Sequence, residues 1–402
     1  MTSYDSFLSS TGRNLAESAI RRMGTVVAER RDLVSFAPGY PDPALFPWRE
    51  LQEIAASLLD GSDAGVLQYG PTRGYRPLLE SIAQLLPERG ITAAVDDLLI
   101  TSGSQQGLDL IARVLVDPGD VVLVELPTFT GGIAAFRNAR AELAGVAQDD
   151  DGLSLDALDE VWRRQHGQGK RVKLLYIIPN FQNPTGRLLS RARRLAVLDW
   201  AERRDVLILE DDPYGSLYFE DVASQADTRP LRADDRHGRV LYLSSFSKTL
   251  APGFRVAWMV APRQLIDRFE TAKQSTDLTS GILDQRIVHA ALTRGVIDAI
   301  APALRATYQR KRTLMEQAMR AAFGARLTWP APKGGFFLWV TLPDGQRDTE
   351  LLTRAVAHGV VFVVGSAFFV DGSGHDTIRL SFSAPPDDRI IEGVTRLAAA
   401  LG

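Results

Sequence analysis

Six short apolar runs, each leading into a turn and then a longer amphipathic stretch, constrain this 402-residue chain more than any other feature. They are Leu98–Thr101, Val121–Leu126, Leu174–Ile178, Val206–Leu209, Val240–Leu243 and Val256–Val260. All are rich in Val, Ile and Leu without polar alternation, the pattern of strands covered on both faces. Helical patterns such as Leu108–Leu115, Leu188–Arg203 and Asp284–Arg294 fall between them. Strands alternating with helices predict an α/β domain: a mostly parallel sheet flanked by helices. The C-terminal part reads differently. A long helix is expected from about Ala303 to Ala322, with strands at Phe336–Leu342 and Ile378–Phe382, forming a smaller α+β domain. An N-terminal helix around Asn14–Ala28 would complete it. The expected division is a segment 1–50 joining the small domain, a large ligand-binding domain 51–290, and the small C-terminal domain 291–402.

Composition narrows the function classes. Forty-six basic against 49 acidic residues give a net charge of −3, so no global basic field favours nucleic acid or a membrane surface. The N-terminus has neither a basic n-region nor an apolar h-region, and the longest nearly apolar run, Val360–Val370, is too short to span a bilayer. A soluble cytoplasmic protein is the expectation. Cysteine is absent, which removes disulfides, thiolate metal sites and cysteine nucleophiles. Lysine occurs only at Lys170, Lys173, Lys248, Lys273, Lys311 and Lys333, leaving six candidates for any chemistry that needs a primary amine.

Ligands of open α/β sheets sit at the carboxyl ends of the strands, so the residues after each run carry the functional reading. After Leu98–Thr101, the turn Ser102-Gly103-Ser104-Gln105-Gln106-Gly107 opens a helix and offers free N–H groups to an anion, although Ser and Gly there are more often plain caps. Phe129, two residues past Pro127, could stack on a planar ligand or belong to the core. Pro179-Asn180-Phe181-Gln182-Asn183-Pro184-Thr185-Gly186 reads as a rigid turn holding the Asn183 amide at the sheet edge. Glu210-Asp211-Asp212-Pro213-Tyr214 puts three carboxylates at the end of a buried strand, which is costly unless a cation meets one of them. A metal is one such cation; the missing Gly-x-x-x-x-Gly-Lys-Ser/Thr phosphate motif favours a cationic heterocycle instead. Finally, Lys248 stands at a strand end between Ser244-Ser245 and Arg255. Most lysines are solvated, but one with a depressed pKa is a nucleophile that forms Schiff bases. A lysine amine, an aspartate for a ring nitrogen, donors for a phenolic oxygen and a phosphate cup are together the needs of pyridoxal 5′-phosphate.

With these motifs the chain resembles the fold-type I, class I/II aminotransferases, and most of all the branch of 2-aminoadipate and kynurenine aminotransferases and the C-terminal domains of MocR-type regulators. The resemblance runs from Ser35-Phe36-Ala37-Pro38-Gly39-Tyr40-Pro41-Asp42-Pro43 to Arg379-Leu380-Ser381-Phe382. It implies that Lys248 carries the cofactor as a Schiff base and later shuttles the substrate proton, that Asp211 keeps the pyridine nitrogen protonated, and that Asn183 and Tyr214 hydrogen-bond the ring oxygen. It further implies Phe129 stacked on the ring, Ser104, Gln105, Ser245 and Arg255 as the phosphate cup, and Tyr69 reaching in from a second subunit of a homodimer with shared sites. Arg379 and Gly39 would hold the substrate carboxylate, with Asn183 also contacting substrate, and Ser18 and Arg21, on an N-terminal helix, fall where side-chain-sensing residues lie. Ala257-Trp258, Val364-Gly365 and Tyr40 depart from the usual residues at those places and bear on substrate choice.

The leading expectation is therefore an aminotransferase moving an amino group from an L-amino acid to a 2-oxo acid, with no metal. Two alternatives share its residues: another outcome on the same cofactor (elimination, decarboxylation or cyclisation in a biosynthetic pathway), or a regulatory domain that binds the cofactor without turnover. About 35 residues precede the aminotransferase-like start, too few for a winged helix-turn-helix, which weighs against the second.

Overall fold

In the computed structural model, which describes residues 4–15 and 32–402, the apolar runs assemble into one eight-stranded sheet. Its order is Leu98–Ser102, Val256–Val260, Val240–Ser245, Leu207–Asp211, Val172–Ile177, Val121–Leu126, Glu142–Asp149 and Gly152–Leu153. The five strands from Val240–Ser245 through Glu142–Asp149 pair in parallel. Val256–Val260 runs antiparallel to both of its neighbours, and Gly152–Leu153 closes a short antiparallel hairpin on Glu142–Asp149. Central strands are apolar on both faces because both are covered: Val121, Val122, Leu123 and Val124 are each fully buried beneath helices.

The Leu207–Asp211 strand continues past its apolar run through Glu210 and Asp211. Pairing of those residues with Tyr242 and Leu243 satisfies their backbone groups, and the ladder prevails over the polarity of the side chains. All five parallel strands therefore end on one edge, at Leu126, Asp149, Ile177, Asp211 and Ser245. The antiparallel Val256–Val260 begins there, with Val256 opposite Ser102, which brings Arg255 to the same edge.

The C-terminal part forms a three-stranded antiparallel sheet, Phe337–Thr341 and Val363–Val364 flanking Thr377–Ser381. The Val34–Ser35 strand pairs in parallel with Val360–Val361, so the N-terminal segment packs with this unit. The long helix spans Val296–Phe323, starting earlier than the pattern indicates because it runs through Pro302, a residue that ordinarily marks a boundary. Of the expected N-terminal helix, only Asn14 and Leu15 lie within the described residues, where Ser10–Asn14 is helical. Among the described residues no single helix is long and apolar enough to cross a membrane.

Candidate active site

Lys248 lies in the turn that follows Val240–Ser245. That turn is tied by Ser245, whose hydroxyl accepts from the Ser247 amide at 3.0 Å and donates to the Ser247 hydroxyl at 2.8 Å. Lys248 Nζ donates to the Gly39 carbonyl at 2.9 Å and sits 5.9 and 5.6 Å from the ring centroids of Tyr214 and Phe336. Removal from water, and then the Arg255 and Arg379 charges, push its pKa down to about 8, against the pull of Asp211. At pH 7 roughly a tenth of the amine is thus unprotonated and nucleophilic, far more than for an ordinary lysine.

Asp211, at the end of the neighbouring strand, is 3 % exposed. Tyr176 donates its hydroxyl to Oδ2 at 3.0 Å, while the buried Oδ1 has no partner. Burial drives its pKa up to about 7, with Asp212 adding to the rise and Tyr176 and Lys248 opposing it. A buried carboxylate oxygen with no donor calls for a cationic partner. The adjacent carboxylates do not share this one's environment. Glu210 accepts from the amides of Leu231 and Arg232 at 2.8 and 2.9 Å, and Asp212 from Arg89, Asn180 and Tyr242 at 3.0, 2.8 and 3.0 Å. Each is committed to a different part of the scaffold, so the three do not converge on a metal.

Arg379, in the Thr377–Ser381 strand, is 1 % exposed and has no carboxylate partner among the described residues. It donates to Asn183 Oδ1 at 2.6 Å and to the Ala37 carbonyl at 2.5 Å, and its buried Nε remains unpaired. Its guanidinium lies over Phe337 and Phe368, 4.3 and 5.1 Å from their centroids. Burial pulls its pKa down to about 9. An uncompensated buried guanidinium of fork geometry is a receptor for a carboxylate.

The turn holding Asn183 is strained: Phe181 has φ +50°, a left-handed conformation that costs a bulky residue about 1–2 kcal/mol. Its ring offsets that cost by burying completely against Gly334 and Gly335, where a Cβ on Gly334 would come within 2.6 Å of it. Asn183 also hydrogen-bonds the Tyr214 hydroxyl, whose pKa burial raises well above the usual phenol range. Lys248, Asp211, Tyr214, Asn183 and Arg379 thus form one continuous constellation, with Gly39 over it.

A helix start with Arg255 against it lies near Lys248. Gly103 caps the Ser104–Leu115 helix with φ +76°, a conformation that favours glycine, and a Cβ there would fall 2.0 Å from Arg255 Nη2, which lies against this helix start. Ser104 and Gln105 form the first turn, where free N–H groups and the helix dipole favour negative charge. Gln105 donates to the Gly131 carbonyl at 2.9 Å, and a Cβ on Gly131 would meet Phe129 at 2.4 Å, so Phe129 adjoins this turn. Tyr69 stands apart, 79 % exposed. Ser18 and Arg21 lie outside the described residues. Trp258 packs against Phe246 and lines a cavity with Arg89, Asp212, Tyr242 and Ser245.

Sequence reasoning missed Tyr176, Ala37, Phe337 and Phe368. Only Tyr176 left a signal, as the one hydroxyl in an otherwise aliphatic run. A partnerless buried carboxylate oxygen, a lysine of lowered pKa and a glycine-cleared cationic helix start fit the ring nitrogen, aldehyde and phosphate of pyridoxal 5′-phosphate.

Residues 40–397 match the family described as aminotransferase class I and II. The chain is 38 % identical to the aromatic-amino-acid aminotransferase 1 of Thermococcus litoralis over 99 % of its own length and 94 % of the relative's. It is 38 % identical to the 2-aminoadipate transaminase of Thermus thermophilus, over 99 % and 96 %. The solved structure of the Pyrococcus horikoshii kynurenine aminotransferase, in complex with PMP, superposes with a TM-score of 0.93 at 37 % identity, covering 99 % of this chain and 97 % of that one. The chain therefore belongs to the class I and II aminotransferases, pyridoxal 5′-phosphate-dependent enzymes of fold type I.

Proposed function

We propose that Lys248, Asp211 and Arg379 are the residues through which this aminotransferase moves an amino group from an L-amino acid to a 2-oxo acid. The observation carrying the assignment is the convergence of three groups in one buried constellation: an amine with a lowered pKa, a carboxylate oxygen without a partner and an unpaired guanidinium nitrogen. When bound, pyridoxal phosphate supplies the carbonyl that accepts the amine and a ring that stabilises charge at the substrate Cα. Arg379 takes the substrate carboxylate in a bidentate fork and Gly39 limits its position. Asn183 and Tyr214 direct N–H and O–H donors to the ring oxygen, and Asp211 Oδ1 accepts the ring N–H. Lys248 Nζ removes the Cα proton, as its lowered pKa suits a general base near neutral pH. Gly103, Ser104, Gln105, Ser245 and Arg255 hold the phosphate, and Phe129 covers the ring.

The working unit in this reading is a homodimer. Leu67 and Tyr69, 77 % and 79 % exposed, form an apolar segment that a second copy would cover, placing Tyr69 in the partner's site. A cytoplasmic location, a role in amino-acid biosynthesis and the division at residues 50 and 290 complete the proposal, and Arg21 is assigned to sensing the substrate side chain. The relatives' names make aromatic amino acids, kynurenine and 2-aminoadipate the first donors to screen. Incubating holoenzyme with each donor alone and following the cofactor's visible absorbance tests the assignment. Loss of the band with wild-type protein but not with Lys248→Ala is expected; equal behaviour of the two would refute it.

A further inference from the structure

We propose that Tyr176 is a positioning residue for the cofactor-binding carboxylate: its hydroxyl holds Asp211 through Oδ2 so that Oδ1 stays ionised and aimed at the ring nitrogen. This rests on the assignment of Asp211 to that nitrogen. Three observations carry it.

The first is the division of labour at the carboxylate. Oδ2 receives the Tyr176 hydroxyl at 3.0 Å, while Oδ1, equally buried, has no partner. A single donor on one oxygen fixes the plane of the carboxylate and leaves the other oxygen as the acceptor. The second is the rigidity of the donor. Tyr176 is fully buried, packs edge-on against Phe136 at 5.7 Å, and lies where a Cβ on Gly132 would come within 2.5 Å of its ring. The helix Thr130–Asn138 therefore clamps the ring, and the hydroxyl has little freedom to leave Asp211. The third is charge. Burial, then Asp211 itself, raises the Tyr176 pKa well above the usual value, so the phenol remains a donor at any working pH. A donor to the ionised form favours that form and opposes the burial that would otherwise protonate Asp211. The other groups that act on Asp211 are Asp212, Lys248 and Tyr214, and Glu125 faces Tyr176 from the Val121–Leu126 strand.

The test compares Tyr176→Phe, Asp211→Asn and a protein carrying 3-fluorotyrosine at position 176, each loaded with 15N-labelled pyridoxal phosphate. The readouts are the cofactor dissociation constant and the 15N shift of the ring nitrogen. Tyr176→Phe should weaken cofactor binding roughly tenfold or more, the scale of one hydrogen bond to a charged group, and move the ring signal toward the unprotonated form. The fluorinated phenol, a stronger donor of nearly the same shape, should move the signal the opposite way, which a merely structural role would not do. If Tyr176→Phe matches wild type while Asp211→Asn does not, the inference fails and the Asp211 assignment stands. If neither differs from wild type, both fail. Should Tyr176→Phe not fold, an unmoved ring signal in the fluorotyrosine protein overturns the inference.

Discussion

Burial makes the ionised form of Asp211 costly, and that cost is measurable in the cofactor-free protein. Its carboxyl goes from an ordinary 3.8 in the unfolded chain to about 7 in the fold, driven first by burial. The interval corresponds to roughly 4 kcal/mol of destabilisation once the group is forced to ionise. The sign follows from proton uptake. A group whose folded pKa is raised binds protons more tightly when folded, so its penalty is absent below pH 3.8, grows between there and about 7, and is complete above. Asp211→Asn cannot ionise and keeps an acceptor for Tyr176. Its stability relative to wild type should therefore rise by about 2–3 kcal/mol between pH 5 and pH 8.5. Glu125 and Glu210, also raised to about 7 by burial, titrate in both proteins and cancel from the difference. Urea denaturation of the two cofactor-free proteins at both pH values, at one fixed protein concentration, reads this directly. With cofactor present the order should reverse, because only the carboxylate meets the ring nitrogen. A difference between variant and wild type that does not change with pH would refute the claim that Asp211 is a strained, buried acid awaiting a cation.

Other outcomes follow from the same geometry. Arg379→Lys keeps the charge but loses the fork, so KM for the amino acid should rise roughly tenfold to a hundredfold in steady-state assays. Because the Lys248 pKa lies at about 8, the rate at which cofactor-free protein takes up pyridoxal phosphate should rise with pH from 7 to 9 as the amine deprotonates, in stopped-flow absorbance. Co-refolding inactive Tyr69→Ala with inactive Lys248→Ala should recover about a quarter of wild-type activity, since half the dimers then carry one intact site. No recovery would remove Tyr69 from a shared site.

The large sheet was legible because strands buried on both faces must be apolar throughout, and the end of each such run is where side chains reach the ligand edge. Lys248 stood out because lysine is rare in this chain and Asp211 because a carboxylate on a buried strand needs a reason. What stayed hidden depends on closures across long stretches of chain. Lys248 meets Gly39 across 209 positions and Arg379 meets Ala37 across 342, and no local pattern encodes either. Tyr176 was passed over because a tyrosine suits a strand interior equally well with or without a polar partner, and Asp211 lies 35 positions away. The antiparallel course of Val256–Val260 was equally silent, since a run apolar on both faces reads the same in either direction. It is this reversal that delivers Arg255 to the edge where the parallel strands end.

The most direct test of the central claim is transfer of label. Holoenzyme is given a 15N-labelled L-amino acid donor and then an unlabelled 2-oxo acid, and the amino acid formed from the oxo acid is examined by mass spectrometry. Wild type should place the 15N in the new amino acid, and Lys248→Ala should place none there. Labelled ammonia or a decarboxylated amine in place of a labelled amino acid, or equal transfer by Lys248→Ala, would contradict it.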